Sequence, residues 1–342
     1  MKRNNIDLIK KSLTEKHLVV FLGSGGVGKT TFSALSALYA SEKRKTVVMT
    51  VDPAKRLASC LNINSTDKMV KITENLYSIQ VDPKRDFKDL AEKIFSKQLS
   101  EKITNNRLFR VAVELLPSDE YISFAKLEEV WESDFSLIVL DTPPTTKALS
   151  FIDTPSKILN LFNTGAMHQI IRFYELYSKA GRVALKLTGV LRQISKFVGL
   201  EFLFEFSEFI FSLKEIFNTM TELSEKAYKI LRDSGTDFYI ITSPNQNQIN
   251  EALTLRNELK NRGLNSNFIV NRFYDFSYGI PDSTPEDIKK IYKIFSEVSK
   301  IQSKNIEKLC DSSSEVLIIR EYPDKPKNME QLNNLKRKIF GE

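Results

Sequence analysis

One short segment limits what this chain can fold into more than any other: Gly23–Thr30, with the sequence GSGGVGKT. The apolar run Leu18–Leu22 precedes it, and Thr30–Ser41 follows with helical spacing. Glycines at such a junction let backbone N–H groups turn inward around an anion, and the N-terminus of the helix adds positive partial charge. We therefore predict a strand, a phosphate-binding loop and a helix in that order.

The end of this loop carries the groups that phosphate chemistry requires. Lys29 is expected to neutralise charge on the β- and γ-phosphates and to act in catalysis, and the hydroxyl of Thr30 to ligate Mg²⁺. ATP with Mg²⁺ is the predicted ligand pair. The other loop residues predicted to contact the nucleotide are Gly25, Gly26, Val27, Gly28 and Thr31.

Further apolar runs alternate with helical stretches along the chain. This alternation predicts an α/β protein, a P-loop NTPase fold in which helices cover both faces of a mostly parallel sheet. Functional residues should gather beyond the carboxyl ends of the strands. The predicted strands after Leu18–Leu22 are Thr46–Val51, Leu76–Val81, Leu137–Leu140, Phe238–Ile241, Phe268–Val270 and Val316–Ile319.

Two aspartates close predicted strands at that edge. Asp141 follows Leu137–Leu140, where a second group is needed to hold the Mg²⁺ shell. Asp52 closes another strand before Pro53, and we expect it to orient the attacking water and to join the metal shell. Asp52 has a second interpretation, as the N-cap of a helix that begins near Lys55.

The chain is predicted to form a single domain over residues 1–342, with a helical subdomain inserted at about 84–130 and 155–235. In the second insertion an apolar stripe at helical spacing ends at Leu223. Phe204 and Phe211 lie on another side of that helix, at about 100° per residue. They are predicted either to form a surface for a hydrophobic partner or to be buried between helices.

Composition narrows the class of protein. The net charge of +7 is spread along the chain, so we expect solvated surface and disfavour nucleic acid as a partner. No apolar signal core is visible near the N-terminus, which predicts a cytoplasmic protein. The C-terminal stretch is predicted either to dock on its own domain or to touch a membrane peripherally; its apolar residues are Met329, Leu332, Leu335, Ile339 and Phe340.

Taken together, the motifs resemble the ArsA/Get family of ATPases with a deviant Walker A loop. Val51-Asp52-Pro53-Ala54 is similar to the family's switch I, and Asp141-Thr142-Pro143-Pro144-Thr145 to its switch II. The resemblance implies that the side chain of Asn271 reads the adenine, and that the segment from Tyr322-Pro323 to Leu332 closes the adenine pocket. It also implies a nucleotide-dependent dimer, and Pro323 is accordingly a predicted cofactor contact.

The chain departs from the family pattern at several positions. Ser24 stands where the family has its signature lysine, and the CxxC that binds zinc in the tail-anchored-protein targeting members is missing, so no zinc is expected. Cys60 and Cys310 cannot supply the thiolate cluster of an arsenite site. Lys55, Arg56 or Lys147 could supply the charge missing at Ser24, or a paralogue could.

Three functions follow from these observations. The first is an ATP-driven switch protein, a homodimer or a heterodimer with a paralogous ATPase, that handles a hydrophobic client or a membrane-protein partner. The second, an alternative, is a positioning ATPase like ParA or MinD that binds membrane or DNA. The third is a weakly active subunit that is completed by a paralogue carrying the lysine that Ser24 replaces.

Overall fold

The computed structural model describes residues 6–51, 56–61, 69–82, 86, 118–162, 172, 175, 199, 214–276, 279–281, 283–310, 315–322, 326 and 328–341. The chain divides into two compact units. The first comprises Met1–Asp82, Val130–Ser150 and Arg232–Glu342. The second comprises Pro83–Glu129 and Phe151–Leu231. The domain organisation predicted from the sequence, a single domain with a helical insertion, remains a proposal.

An eight-stranded sheet forms the framework of the first unit, in the order β3-β4-β2-β5-β1-β6-β7-β8. All neighbours pair in parallel except β3, which runs antiparallel to β4 at one edge. The mostly parallel sheet predicted from the sequence is therefore confirmed. The strands are β1 Leu18–Leu22, β2 Thr46–Thr50, β3 Val70–Lys71, β4 Leu76–Gln80, β5 Leu137–Asp141, β6 Thr236–Thr242, β7 Ser266–Phe273 and β8 Val316–Arg320.

Helices connect these strands. Those that belong to the first unit throughout are α1, α2, α3, α7, α8 and α9. The helices of the described residues are α1 Ile6–Glu15, α2 Lys29–Ala40, α3 Arg56–Leu61, α4 Ser118–Trp131, α5 Thr145–Phe162, α6 Lys214–Arg232, α7 Gln246–Asn261, α8 Glu286–Cys310 and α9 Met329–Phe340. Among these residues, none of the helices combines the length and the apolar character needed to cross a bilayer.

The core of the first unit lies on both sides of the sheet. All five residues of β1 are buried, as expected for a strand covered on each face. One cluster joins alternate side chains of the central strands to α1, α2 and α9. Helices α7 and α8 pack against β6 and β7, and their buried side chains lie outside that cluster. The predicted cover of helices on both faces is confirmed.

The C-terminal helix α9 docks on α2, as the first of its two interpretations predicted. Leu332 and Phe340 are fully buried, and the ring of Phe340 stacks on that of Tyr39 with centroids 4.5 Å apart. The ammonium of Lys336, itself buried, pairs with Glu42 at the end of α2. The amphipathic pattern of α9 is therefore explained by packing within the unit.

Candidate functional site

The glycine-rich loop begins after β1 at Gly23, a position that only glycine can occupy. Gly23 has φ +145°, and a Cβ atom there would lie 2.1 Å from the carbonyl oxygen of Ile241 on β6. Gly28, with φ +97°, would bring a Cβ atom to 2.5 Å from Nδ2 of Asn271. Both close approaches hold the loop against its neighbours, so the glycine spacing seen in the sequence has a steric cause.

Lys29 begins α2 with its side chain folded back into the loop. Its Nζ donates to the carbonyl oxygens of Gly23 and Ser24, each at 2.8 Å. The residue is buried, with 7% of its surface exposed. The loop thus holds one ammonium group beside its own backbone, where phosphate oxygens are better acceptors than carbonyls because they carry full negative charge.

Thr30 and Asp141 meet at the carboxyl edge of the sheet. The Thr30 hydroxyl donates to Oδ2 of Asp141 at 2.8 Å, and the Thr50 hydroxyl, at the end of β2, donates to the same oxygen at 3.2 Å. Asp141 ends β5 between β1 and β2 and is 1% exposed. Parallel pairing brings the three residues together because β1, β2 and β5 end at the same edge.

This oxygen set fits Mg²⁺. The ion prefers oxygen ligands and usually takes one or two protein groups, with phosphate oxygens and waters completing its shell. The hydroxyl of Thr30 and the carboxylate of Asp141 are such a pair, and Thr30 follows Lys29 at the end of the loop. The residues that would hold Mg²⁺ are therefore Thr30 and Asp141.

The segment that follows Asp141 is hydrogen-bonded to the central strand β1. The Thr142 hydroxyl donates to the carbonyl oxygen of Phe21 on β1 at 2.7 Å. This bond is buried, and it directs Pro143 and Pro144 across the end of the sheet into α5. Lys147, in the first turn of α5, is exposed.

A cavity of about 580 Å³ extends from the loop to the C-terminal helix. Its phosphate end is formed by the loop and the first turn of α2. Its opposite end is apolar and is formed by α2, the end of β8 and α9. The lining residues are Gly26, Gly28, Lys29, Thr30, Thr31, Phe32, Leu35, Ser59, Cys60, Asn271, Arg272, Ile319, Glu321, Tyr322, Pro326, Leu335 and Ile339.

A bulge near the end of β7 aims Asn271 at the loop. The register with β8 shifts between Val270 and Phe273. Arg272 has φ +66°, a backbone conformation that residues other than glycine seldom adopt. Asn271 Nδ2 donates to the carbonyl oxygen of Val27 at 2.8 Å, and its Oδ1 accepts from the backbone N–H of Arg272 at 3.0 Å. The side chain therefore links the wall of the cavity to the phosphate loop.

The structure adds residues to the site that the sequence did not indicate. Glu321 lies in the wall, with Oε2 at 3.9 Å from Nε of Arg272. Cys60 of α3 lies near the loop, and burial raises the pKa of its thiol. Leu335 and Ile339 come from α9. The family resemblance indicated a pocket closed by the segment from Tyr322-Pro323 to Leu332, but no sequence signal extended it to Leu335 and Ile339.

Most of the predicted site residues lie together. Gly26, Gly28, Lys29, Thr30, Thr31 and Asn271 line one cavity, and Asp141 contacts Thr30. Gly25 and Val27 belong to the same loop, the first exposed and the second buried. Asp52, Pro323, Lys55, Phe204 and Phe211 lie outside the described residues, so their predicted roles stay predictions.

A glycine loop between a central strand and a helix, a buried lysine and a hydroxyl–carboxylate pair at one sheet edge define a P-loop nucleotide-binding protein. Comparison with known proteins identifies the family within this class. The family model described as the anion-transporting ATPase matches residues 16–339. The chain therefore belongs to this family of ATPases, as the resemblance of its motifs indicated.

Individual relatives support the same assignment. The ATPase ASNA1 homolog 1 of Paramecium tetraurelia is 33% identical over 138 residues, which span 39% of this chain and 42% of that protein. The ATPase ASNA1 homolog of Plasmodium berghei is 26% identical over 329 residues, or 93% of this chain and 78% of that protein. The ATPase get3 of Schizosaccharomyces japonicus is 30% identical over 142 residues, which span 39% of this chain and 42% of that protein.

Proposed function

We propose that the chain binds ATP with Mg²⁺ in the cavity described above and hydrolyses it, as a switch protein that acts on a hydrophobic client or a membrane-protein partner. The observation that carries the proposal is the bond between Asp141 and Thr30, the residue that follows Lys29, whose ammonium is held in the loop. That arrangement supplies a cation and an oxygen pair for Mg²⁺ at the place where the loop would hold phosphates.

We expect contacts at the phosphate end to supply most of the free energy of ATP binding. Backbone N–H groups of Gly26–Thr30 would bind the β- and γ-phosphates, and Lys29 would exchange the carbonyls of Gly23 and Ser24 for phosphate oxygens. Mg²⁺, when bound, neutralises charge that develops on the γ-phosphate oxygens. Thr30 and Asp141 hold that position, and Thr50 keeps the carboxylate oriented.

The opposite end of the cavity would hold the base. Leu335 and Ile339, both half-buried, offer apolar surface that suits a flat aromatic ring, and Asn271 lies between the two ends. We propose that Asn271 and the segment around Tyr322 and Pro323 contact the adenine, as the family resemblance implies.

Hydrolysis requires a group that orients the attacking water, and we assign this role to Asp52. Replacing Asp52 by asparagine should leave ATP affinity within about threefold while lowering turnover at least about tenfold, because only the water loses its acceptor. Turnover by Lys29→Ala should be absent. An equal loss of affinity and turnover in Asp52→Asn would show that Asp52 is structural.

Ser24 raises the question of how positive charge reaches the departing phosphate. Charge supplied in trans can accelerate phosphoryl transfer by about 10³ or more. Ser24 is half-buried, and its carbonyl accepts from Lys29, so its short neutral side chain cannot provide that charge. We propose a dimer with slow turnover alone, in which Lys147 or a paralogue supplies the cation.

The ATPase itself is tested by measuring ATP turnover of the full chain over a protein concentration series with Mg²⁺. We expect slow turnover that rises per subunit as the chain associates, and faster turnover in Ser24→Lys. Fast turnover that is unchanged in Ser24→Lys would contradict the account of Ser24. Turnover that persists at the same rate in Lys29→Ala would contradict the assignment of the site.

Client handling needs a separate experiment. A soluble carrier fused to an apolar segment of about 20 residues should bind the chain, and the amount bound should depend on whether ATP or ADP is present. The matched control carries the same segment with lysines at every fourth position. Equal binding of both carriers would contradict a role in handling hydrophobic segments.

The alternative of a positioning ATPase rested on the net charge and on the amphipathic C-terminal stretch. The apolar face of α9 packs on α2, with Leu332 and Phe340 buried. The structure thus gives no specific observation in favour of membrane binding through this helix, and we keep the first function as the proposal.

A further inference from the structure

The wall of the nucleotide cavity contains one carboxylate. Glu321 follows β8 directly, and it is the only acidic side chain among the described residues that line the cavity. Its backbone N–H donates to the carbonyl oxygen of Phe273 at 2.9 Å, which holds the residue against the end of β7. The side chain is 28% exposed, so it is partly shielded from bulk water.

A carboxylate is unexpected in a cavity that is to hold a polyanion, because an uncompensated negative charge would repel the triphosphate. Arg272 compensates this charge: its Nε lies 3.9 Å from Oε2 of Glu321, close enough for an ion pair but too far for a hydrogen bond. Within the described part of the chain, Arg272 is the only polar partner of this carboxylate. The carboxylate oxygens can therefore accept hydrogen bonds from a ligand.

The place of Glu321 in the cavity indicates which part of ATP it would meet. Its partner Arg272 follows Asn271, whose Nδ2 donates to the carbonyl oxygen of Val27 in the phosphate loop at 2.8 Å. The apolar end, formed with α9, lies on the other side of Asn271. Glu321 thus belongs to the wall beside the residue that lies between the two ends. The ribose is the part of ATP that joins the phosphates to the base.

We propose that Glu321 binds the ribose of the nucleotide, with its carboxylate oxygens accepting hydrogen bonds from the 2′- and 3′-hydroxyls. The hydrogen-bond donors of ATP are these two hydroxyls and the 6-amino group of the base. A carboxylate accepts at two oxygens and so matches a pair of neighbouring hydroxyls, and acidic side chains bind ribose in this way in dinucleotide-binding proteins. The inference rests on the proposed function and names the residue by which the site distinguishes ribonucleotides from deoxyribonucleotides.

The hydrogen bonds of Glu321 determine how strongly the cavity discriminates between nucleotides. A site that accepts a hydrogen bond from a ligand hydroxyl binds the analogue without that hydroxyl more weakly, because the acceptor loses its partner. Since the side chain of Glu321 is partly exposed, water can replace the missing hydroxyl and the discrimination is moderate. We expect 2′-deoxyATP and 3′-deoxyATP each to bind about tenfold more weakly than ATP.

Calorimetric titration of the full chain with ATP and with both deoxy analogues tests the proposal. In Glu321→Ala the preference for ATP over each analogue should fall from about tenfold to less than about twofold. The ratio of affinities within one variant is the readout, because removing the carboxylate changes the affinity for every anionic ligand alike.

Two further variants sharpen this test. Glu321→Gln keeps one carbonyl acceptor and should show an intermediate preference for ATP over its deoxy analogues. Glu330→Ala is the matched control, since Glu330 is exposed on α9 and does not line the cavity. It should discriminate like the unmodified chain. Thermal melting of each variant confirms that the fold is intact.

Equal discrimination by the unmodified chain and by Glu321→Ala would overturn the inference. So would a Glu321→Ala chain that loses the preference for ATP over inosine triphosphate and keeps that over 2′-deoxyATP, because the carboxylate would then contact the 6-amino group. Both results leave ATP binding itself in place. If the unmodified chain bound neither ATP nor tripolyphosphate, the proposed function would fail, and the inference with it.

Discussion

The two ends of the cavity are built in different ways. The phosphate end comes from consecutive residues, Gly23–Thr30, joined by Asp141 at the neighbouring strand end. The base end is formed by α2 together with the end of β8 and α9, and the last two elements lie far from the loop in sequence. The phosphate end is polar and tied by hydrogen bonds, whereas the base end is mostly apolar and depends on how α9 docks.

Because of this difference, substitutions at the two ends should affect ligand affinity by different amounts. At the phosphate end, removing one charged or polar group leaves buried charge uncompensated, and the cost is large. At the base end, affinity comes from apolar area, so each residue contributes a modest share. Tripolyphosphate can bind only at the phosphate end. Comparing its affinity with that of ATP therefore shows at which end a substitution acts.

The largest effect is expected for Lys29→Ala. The substitution removes the ammonium that replaces carbonyl partners with phosphate oxygens, so both ATP and tripolyphosphate should bind at least about 100-fold more weakly. Isothermal titration calorimetry measures both constants. Lys43→Ala, at an exposed position after α2, is the control. A loss of less than about threefold would show that the loop does not hold the phosphates.

A smaller effect is expected for Asp141→Asn, and only when Mg²⁺ is present. The amide keeps the shape of the carboxylate but loses its charge, so the gain in ATP affinity that Mg²⁺ provides should fall about 10- to 100-fold. Affinity for ATP in the presence of a chelator should change little. If both affinities fell equally, Asp141 would support the loop rather than the metal.

The base end is tested by Leu335→Ala/Ile339→Ala. Both side chains line the cavity from α9, and their truncation should weaken ATP binding about tenfold without affecting tripolyphosphate. Asn334→Ala, exposed on the same helix, should change neither constant. Equal weakening of both ligands would mean that α9 supports the loop as well, and the two ends would no longer be separable.

Docking of α9 depends partly on the ion pair between Lys336 and Glu42. The side chain of Lys336 is 8% exposed and that of Glu42 is 37% exposed, so solvent reduces the value of the pair. We expect Lys336→Met to lower the free energy of unfolding by about 1–2 kcal/mol, measured with urea. In a double-mutant cycle with Glu42→Gln, strict additivity would show that the pair contributes nothing.

The smallest effect concerns the reactivity of Cys60. Burial raises the pKa of its thiol, so less thiolate is present near pH 8 than in a free thiol, and alkylation should be slow. The rate should rise with pH beyond the usual range for cysteine. Bound ATP should slow it severalfold, because Cys60 lines the cavity. Peptide mass spectrometry separates this site from Cys310, and equal protection of both would point to a general change in the fold.

The phosphate end of the cavity could be predicted from the sequence to a greater extent than the base end. Lys29, Thr30 and Asp141 could be predicted because their chemistry is tied to a loop and to a strand end, and parallel strands share an edge. The two residues of β3 were missed because so short a strand has no detectable pattern. The contact of Asn271 with Val27 depends on a bulge, and Glu321 and Ile339 reach the cavity only through the topology.

One measurement tests the central claim, that a single cavity holds ATP with its phosphates on the loop and its base beside α9. Photolabelling with an azidoadenine analogue of ATP, followed by peptide mapping, locates the base directly. The account predicts labelling of the segments around Tyr322 and α9, suppressed by ATP and, through the shared phosphate site, by excess tripolyphosphate. Labelling elsewhere in the chain, or at these segments without suppression by tripolyphosphate, would contradict it.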